Sequence, residues 1–401
     1  MWPIEHFNRL NNIKLKNPFL AKGGKAEGGE TWRQGRMSLN PHIFNLQTAK
    51  TYLPAINKAA NTAANCFEDY ATTGLLDVFC ERAAFDMFGA AGLGLQVGSV
   101  QEDEDGVRLM EAINGGFSKA AHVAQACPWS RIDMFKLGEW KAYESKWKGG
   151  REAGKELVRK ALDDGEGGGT GIVHGFFNDP DLKISKEEAI EMFLVLTFAA
   201  ADTTSSLVNN VLTNLARNPD AQDKVRAEFQ AALNGDDYDA KVKLPYFEQV
   251  LKETQRLTPS LGFTNVKTEI PRDLVINGFH IPAGYTVIFS HMGIANDEEL
   301  AGPNPQVFDP DRFSDTAVAA RKGTRAELLD HPMACKPFGF GARMCVGSRI
   351  AKLEFTSLIC RLIQDYSISM DDEANAGKDP IRLSHTTTIE HPAPTLLVDR
   401  L

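Results

Sequence analysis

The sequence predicts a mainly α-helical protein with a small β portion in its second half. The strongest indication is an apolar-rich segment from Ile190 to about Arg217 that contains neither Pro nor Gly. A second is the helical spacing of the apolar residues that follow Arg349. A third is a group of short β-prone segments around Asn277-Gly278, a pair that favours tight hairpin turns. No internal repeat is visible.

Length and composition are ordinary for a globular protein. The 401 residues are enough for one large domain or two smaller ones, and 43% of them are hydrophobic and 24% charged. A net charge of −9 argues against nucleic acid as the main partner. No apolar run reaches transmembrane length. The six cysteines lack metal-pair spacing and no signal peptide is recognised, so we expect five of them to be reduced structural thiols.

The central helix has clear start and stop signals. Ser185 and Glu188 form a capping-box pattern in front of it, and about 33 residues at a rise of 1.5 Å give a length of roughly 50 Å. Asn218-Pro219 ends this helix and starts the next one, with Asn as the cap and Pro at the first position. A further helix is predicted over Pro245–Thr258. Short strands are predicted over Thr264–Ile270, Leu274–Ile276 and Tyr285–Phe289.

Cys345 is the most informative residue of the chain. Residues 338–347 read Phe-Gly-Phe-Gly-Ala-Arg-Met-Cys-Val-Gly. Gly339 and Gly341 let the backbone turn tightly and approach a flat ligand, and Gly347 leaves room on the other side. A helix follows directly, and its dipole and N–H groups favour a thiolate at its start. An inert buried thiol is the alternative for an isolated cysteine, but this setting favours a metal-ligating thiolate.

These ten residues resemble the haem-binding loop of the cytochrome P-450 superfamily, whose pattern Phe-Gly-x-Gly-x-Arg-x-Cys-x-Gly is matched at each fixed position. The resemblance implies a mainly α cytochrome P-450 fold, a triangular helical prism with a small β portion, with residues 1–401 as a single domain. It makes Cys345 the axial thiolate ligand of the iron of haem b, a ligation that favours O–O cleavage. Arg343 would pair with a haem propionate. The other implied cofactor-binding residues are Trp32, Arg36, Ala199, Thr203, Phe338, Gly339 and Gly347.

The segment around Trp32 and Arg36 is similar to the family's early helix, which meets the haem propionates. A surface cation–π pair is the alternative for these two residues. Near Val266 the family usually has a third propionate arginine, whereas this chain has Lys267, which cannot bind a propionate bidentately. In the family, an anchor or targeting segment, the first helix and most of the first β-sheet precede this early helix. The resemblance therefore implies an N-terminally incomplete fold, and we expect the chain expressed alone to bind haem weakly and to aggregate.

Asp202, Thr203 and Thr204 lie midway along the central helix, where acids and hydroxyls compete with the helical hydrogen bonds and are costly to bury. One interpretation is a cluster of hydroxyls bonded back to helix carbonyls. The family instead has an acid–Thr pair over the haem, where the helix bulges to admit O2 and water. By this match Asp202 and Thr203 are the catalytic residues that relay protons to dioxygen. The family usually has Gly where this chain has Ala200, and the alanine narrows the bulge.

Glu253 and Arg256 share one helix face and would by themselves form a surface ion pair of little energetic weight. The family joins such a pair to a later arginine, here Arg312 in Phe-Asp-Pro-Asp-Arg-Phe, in a buried network that holds the cysteine loop. We therefore assign Glu253, Arg256 and Arg312 a structural role in cofactor retention.

Residues 2–70, 140–157 and 360–364 look most like the mitochondrial-type animal branch. That branch takes electrons from NADPH through a ferredoxin reductase and a ferredoxin; a cytochrome P-450 reductase is the alternative. Lys252 and Lys336 are candidate contacts for an acidic ferredoxin, although each can be a plain solvated charge. The branch implies peripheral association with the matrix side of the mitochondrial inner membrane, with the endoplasmic reticulum membrane as the alternative.

The resemblance predicts a haem-thiolate monooxygenase that inserts one oxygen atom of O2 into an apolar small molecule such as a sterol, a fatty acid or a similar lipid. One alternative is a haem-thiolate isomerase or dehydratase that rearranges peroxides, against which the intact Asp202-Thr203 pair argues. Another is an inactive haem-binding fragment. The implied pocket lining is Phe193, Phe198, Leu261, Phe263 and Thr387.

Overall fold

Helices dominate the computed structural model, which confirms the predicted fold class. It describes residues 33, 36–126, 138–163, 171–180, 186–233, 237–260, 263–267, 270, 272–285, 287–331, 334, 338–339, 341–376, 382–383, 388–389 and 393–401. After a π-helical turn at Asn40–Phe44, the helices in chain order are α1 Leu46–Thr51, α2 Leu53–Ala71, α3 Leu76–Leu93, α4 Glu104–Ala126, α5 Gly138–Asp163, α6 Ile172–Asn178, α7 Lys186–Arg217, α8 Pro219–Leu233, α9 Pro245–Leu257, α10 His291–Ala295, α11 Glu298–Ala301, α12 Asp315–Arg321 and α13 Ser348–Asp365.

The β portion consists of four two-stranded pairs in the described part of the chain. Three of them, β2–β3, β5–β8 and β6–β7, are antiparallel. The strands are β1 Phe263–Lys267, β2 Leu274–Ile276, β3 Phe279–Ile281, β4 Val287–Ser290, β5 Tyr366–Met370, β6 Arg382–Leu383, β7 Thr388–Ile389 and β8 Leu396–Arg400.

The predicted turn at Asn277-Gly278 is confirmed, but the strand that follows it was missed. Asn277 and Gly278 have φ of 49° and 83°, and Ile276 pairs with Phe279 across them. Two positive φ values in a two-residue hairpin loop are what the Asn-Gly sequence favours. Strand β1 begins and ends earlier than predicted, and β4 is shifted toward the C-terminus. The missed strand β3 is only three residues long, too short to show an alternating pattern.

The predicted helix boundaries around Pro219 and Pro245 agree with the structure. Helix α7 ends at Arg217 and α8 starts at Pro219, because proline cannot continue a helix but fits its first turn. The Asn218 amide, predicted to cap α8, donates to the carbonyl of Asn214 at 2.7 Å and so satisfies the end of α7. Helix α9 covers Pro245–Leu257, one residue shorter than predicted.

The described residues fall into two compact units. The first is drawn from Met1–Tyr52, Phe88–Ala199 and Lys267–Val287, and in it α4 packs along α5. The second is drawn from Leu53–Met87, Ala200–Val266 and Ile288–Leu401, and in it α13 packs on α2. The organisation as a single domain stays a prediction.

An aromatic cluster forms part of the core of the second unit. Phe67 of α2 contacts Phe79 of α3 edge-on at 5.1 Å and Tyr366 of β5 at 5.5 Å between ring centroids. The Tyr366 hydroxyl donates to the carbonyl of Ala64 at 3.1 Å, which satisfies the polar end of a buried ring. The cluster joins the start of the second unit to the strand that follows α13. Among the described helices, none is long and apolar enough to cross a membrane.

Candidate functional site

Cys345 lies on a tight loop that leads into α13. Its thiol is exposed, and its backbone N–H donates to the carbonyl of Phe338 at 2.9 Å, which closes the loop. Gly339 and Gly341 have φ of 70° and 72°, in the left-handed region that favours glycine. A Cβ added at Gly341 would meet no atom of the described residues within 4 Å. No described residue therefore crowds the exposed Gly341 side of the loop that carries the sulfur.

Gly347 joins the cysteine to the helix. Its carbonyl accepts from the N–H of Ala351 at 2.9 Å, the first hydrogen bond of the 18-residue helix α13. A Cβ at Gly347 would lie 3.9 Å from the Cys345 sulfur. The sulfur thus lies close to a helix N-terminus, where the macrodipole stabilises negative charge.

The other described cysteines differ from Cys345 in their burial. Cys80 and Cys360 are buried, and burial raises the pKa of both thiols well above the usual value. Neutral, buried thiols are inert, as predicted for structural cysteines. Cys66 is half-buried, and Cys127 and Cys335 lie outside the described residues.

Asp202 and Thr203 are both half-buried on α7. The backbone carbonyl of Asp202 accepts from the Ser205 hydroxyl at 3.0 Å. The resemblance implies a helix bulge here, but α7 is α-helical from Lys186 to Arg217. Ala200 favours this regular helix, since alanine is the strongest helix former and the family usually has glycine at that position. Ala199, one turn before Thr203, is exposed.

Glu253, Arg256 and Arg312 come together in the second unit, as the resemblance implies. Arg256 donates through Nε and Nη2 to the two oxygens of Glu253 at 2.8 and 2.7 Å, and both side chains are 0% exposed. Arg312 donates through Nε to Glu253 Oε1 at 3.3 Å, and the N–H of Asp309 donates to the same oxygen at 3.0 Å. The pair is therefore a buried network and not a surface ion pair.

Backbone carbonyls take up the remaining arginine donors of this network. Arg256 Nη1 donates to the carbonyl of Ala295 at 2.7 Å, and Arg312 Nη1 donates to that of Ala301. The Arg312 carbonyl in turn accepts from Arg321, which forms a two-point ion pair with Asp330 at 2.9 and 2.6 Å. The segments around α10, α11 and α12 are thus tied to α9 through charged groups with satisfied hydrogen bonds.

The candidate site residues of the first unit have contacts of their own. Arg36 donates to the Asn40 side chain at 2.8 Å and lies 5.0 Å from the centre of the Phe44 ring. Phe193 is buried and stacks on Phe88 at 5.6 Å, which places it in the helical core of that unit. Phe198 is half-buried. Propionate binding by Arg36 and pocket lining by Phe193 and Phe198 stay predictions.

Lys252, the described candidate for a ferredoxin contact, is exposed, with Nζ 5.9 Å from the centre of the Phe313 ring.

Several other predicted residues are described only in part or lie outside the described part of the chain. For three other residues only the backbone is described: Arg343 in the cysteine loop, and Phe263 and Lys267 in β1. The predicted residues outside the described part are Trp32, Leu261, Lys336 and Thr387.

Sequence reasoning missed Glu354, a buried carboxyl on α13. Desolvation by burial raises its pKa to about 8, and its Oε1 has no hydrogen-bond partner among the described residues. The sequence contained a signal for its burial, because Glu354 directly follows the apolar Leu353 in this helix. Isolated buried carboxyls avoid the cost of desolvating a charge by staying protonated.

The cysteine loop fits a flat metal cofactor. It offers an exposed sulfur at a helix start and two glycines in the left-handed region, and no described residue crowds Gly341. A thiolate is a strong ligand for iron. Cys345 is the residue of this loop that would bind the metal.

Comparison of the sequence with known proteins identifies one family. Residues 5–392 match the family model described as Cytochrome P450. The probable cytochrome P450 49a1 of Drosophila melanogaster is 27% identical over 391 residues, which cover 91% of this chain and 63% of that protein. The probable mitochondrial cytochrome P450 12b2 of the same species is 26% identical, over 92% of this chain and 71% of that protein. Human mitochondrial sterol 26-hydroxylase is 27% identical, over 91% and 70%.

The chain therefore spans less than two thirds of the length of the first of these relatives and slightly more than two thirds of the length of the other two. The relatives are mitochondrial-type cytochrome P450s, which confirms the branch that the sequence resembles. Because one family model matches nearly the whole chain, the protein belongs to the cytochrome P450 family, whose members bind haem b through a cysteine thiolate and are oxidoreductases that incorporate oxygen.

Proposed function

We propose that the chain is a haem-thiolate monooxygenase that inserts one oxygen atom of O2 into a C–H bond of an apolar small molecule. The observation that carries the proposal is the Cys345 loop, with its exposed sulfur at the start of α13 and two glycines, Gly339 and Gly341, in the left-handed region. When bound, the haem supplies the iron at which dioxygen is activated, and thiolate ligation favours O–O cleavage.

Cys345 would hold the iron, and the loop glycines would let the backbone lie close to the flat ring. Gly339, Gly341 and Gly347 carry no side chain that would obstruct it. Phe338 closes the loop through its hydrogen bond to Cys345. Arg36 and Arg343 would neutralise the propionates, with Trp32 donating a hydrogen bond. Glu253, Arg256 and Arg312 would retain the cofactor indirectly, because they fix the segments that surround α9.

Asp202 and Thr203 would supply protons. The reaction places one oxygen atom in the product as a hydroxyl and releases the other as water, and it consumes two electrons and two protons. The Asp202 carboxyl can exchange protons with solvent, since it is half-buried, and the Thr203 hydroxyl can hold water at hydrogen-bonding distance. Together they would deliver the two protons to the oxygen atom that leaves as water.

The mitochondrial-type branch supports the proposed substrate class, electron source and location. The substrate would be a sterol, a fatty acid or a similar lipid; one relative is named as a sterol 26-hydroxylase, which favours a sterol. Electrons would come from NADPH through a ferredoxin reductase and an acidic ferredoxin steered to exposed Lys252. Relatives named as mitochondrial support a mitochondrial location, and we place the protein on the matrix side of the inner membrane as a peripheral protein.

Two measurements on the purified protein test the proposal. The reduced, CO-bound absorption spectrum should show the long-wavelength Soret band of a thiolate-ligated haem. Incubation with NADPH, ferredoxin reductase, ferredoxin and a panel of sterols and fatty acids should then yield a hydroxylated product. A thiolate spectrum without ferredoxin-dependent turnover, but with rearrangement of a lipid hydroperoxide, would replace the monooxygenase by an isomerase. Absence of the thiolate band would overturn both.

A further inference from the structure

One side of helix α7 carries a row of polar residues that begins at the half-buried Asp202 and continues with buried residues. Ser206, Asn210 and Asn214 follow at intervals of four residues and are 1%, 2% and 7% exposed. This spacing places all four residues on one face of the helix. Buried amides are costly unless they form hydrogen bonds, so the row requires polar partners on the element that faces it.

The end of helix α9 provides these partners at one residue, Thr258. The Asn210 amide donates to the backbone carbonyl of Thr258 at 2.9 Å, and the Asn214 amide donates to its hydroxyl at 3.2 Å. The same hydroxyl donates to the carbonyl of Thr254 at 3.1 Å. Both Asn contacts are buried and join residues that are more than forty positions apart in the sequence. Two turns of α7 thus hold the last residue of the α9 segment from two directions.

The turn that follows Thr258 is held by side chains as well. Gln255 donates to the Ser260 hydroxyl at 2.7 Å and accepts from the Ser260 backbone N–H at 3.3 Å. Thr258 and Ser260 are both buried. The turn therefore has little freedom to move relative to α7, and it leads within three residues of Ser260 into strand β1, which starts at Phe263.

We propose that Asn210 and Asn214 are positioning residues that fix the end of α9, and with it the entry into β1, relative to Asp202 and Thr203. Asn210 lies eight residues after Asp202, about 12 Å along the axis of α7. The inference rests on the proposed function and on the pocket lining that the resemblance implies, to which Leu261 and Phe263, just after Ser260, belong. The two amides then determine how an apolar substrate is presented to the catalytic pair.

Asn210 and Asn214 together form a clamp, because both donate to Thr258 at the end of α9. Asn209, next to Asn210 in sequence, is also buried, but its amide nitrogen has no partner among the described residues. Its side-chain oxygen accepts from Thr213 of the same helix at 3.4 Å. Asn209 therefore provides a matched control: the same residue type, the same helix and similar burial, without a hydrogen bond to Thr258 among the described residues.

The test compares Asn210→Leu and Asn214→Leu with Asn209→Leu in the haem-loaded protein. Two probes are titrated by the shift of the haem absorption band: imidazole, which needs only the iron, and 4-phenylimidazole, whose phenyl ring also needs room in the substrate pocket. We expect each clamp variant to lower the preference for 4-phenylimidazole about tenfold, the effect of one buried hydrogen bond. Imidazole binding should not change, and Asn209→Leu should behave as wild type. Thr258→Val, which removes the hydroxyl and leaves α7 intact, should lower the preference where a leucine variant fails to fold.

Hydrogen exchange measured by mass spectrometry over residues 254–267 tests the clamp without any haem ligand. These amides should exchange about tenfold faster in both clamp variants than in wild type and in Asn209→Leu. An unchanged probe preference together with normal imidazole binding would overturn the positioning role alone. If wild-type protein gave no shift with imidazole, the haem assignment would fail, and the positioning role with it.

Discussion

Arg256 binds Glu253 through two hydrogen bonds, at 2.8 and 2.7 Å, inside the protein, with both side chains fully buried. The Glu253 carboxylate also accepts from the Asp309 N–H and from Arg312. Each buried charge is therefore compensated by an opposite charge and by further hydrogen bonds. Removal of one partner from such a pair leaves the other charge buried with fewer compensating contacts, which costs more than the loss of an exposed ion pair.

Arg256→Ala should destabilise the protein by about 3–5 kcal/mol, because the buried Glu253 carboxylate would lose its two short hydrogen bonds to Arg256 and would keep only the longer contact to Arg312, at 3.3 Å, as a described ion pair. We expect apo or insoluble protein and not a slower enzyme. The measurement is the free energy of unfolding in denaturant, together with haem content. Arg108→Ala is the control, since Arg108 pairs with Glu156 at 2.9 Å on the surface, and its loss should cost about 1 kcal/mol or less. Equal effects of the two substitutions, with normal haem content, would contradict the role of the network.

The helical part of the fold was predictable because its signals are local. Proline at the first position of α8 and of α9 marks where each helix starts. The absence of Pro and Gly from Ile190 to Arg217 allows α7 to continue without interruption. Strand β3 was missed because three exposed or half-buried residues carry no alternating pattern of burial.

The site was only partly predictable, because burial and long-range pairing are not local properties. The spacing of Glu253 and Arg256 by itself indicates a surface pair, and the resemblance was needed to predict a buried one. No pattern in the sequence pairs Asn210 with Thr258, since the partner comes from a distant segment of the chain. The family bulge was not found in α7, where Ala200 favours a regular helix.

Glu354→Gln should stabilise the protein at alkaline pH. Burial raises the pKa of Glu354 from 4.5 to about 8, so the folded state binds a proton that the unfolded state releases above pH 4.5. Stability is therefore lost as the pH rises from about 4.5 through 8, by an amount on the order of 4 kcal/mol. Glutamine is neutral at every pH and should remove this loss.

The measurement is the free energy of unfolding of wild type and Glu354→Gln between pH 5 and pH 8.5. The advantage of the variant should be small at pH 5 and should grow with pH. Glu68→Gln, at an exposed position on α2, serves as control and should show no such trend. A constant difference between the two proteins over the whole range would mean that Glu354 is not protonated in the folded state.

Cys345→Ser should abolish the thiolate spectrum and most haem binding, because a neutral hydroxyl is a poor ligand for iron. The measurement is the reduced CO difference spectrum at equal protein concentration, with haem quantified separately. Cys66→Ser, at a half-buried cysteine of α2, should retain the wild-type spectrum. An unchanged spectrum of the Cys345 variant would show that another residue ligates the iron.

Thr203→Ala should leave haem bound but uncouple electron consumption from product formation. The Thr203 hydroxyl is assigned to proton delivery, and without it dioxygen is released as hydrogen peroxide more often than it is cleaved. NADPH consumption should therefore persist while the yield of hydroxylated product per NADPH falls about tenfold or more. Thr204→Ala is the matched control, because this neighbouring hydroxyl is buried and has no hydrogen-bond partner among the described residues. If both variants coupled NADPH to product as well as wild type does, Thr203 would have only a structural role in α7.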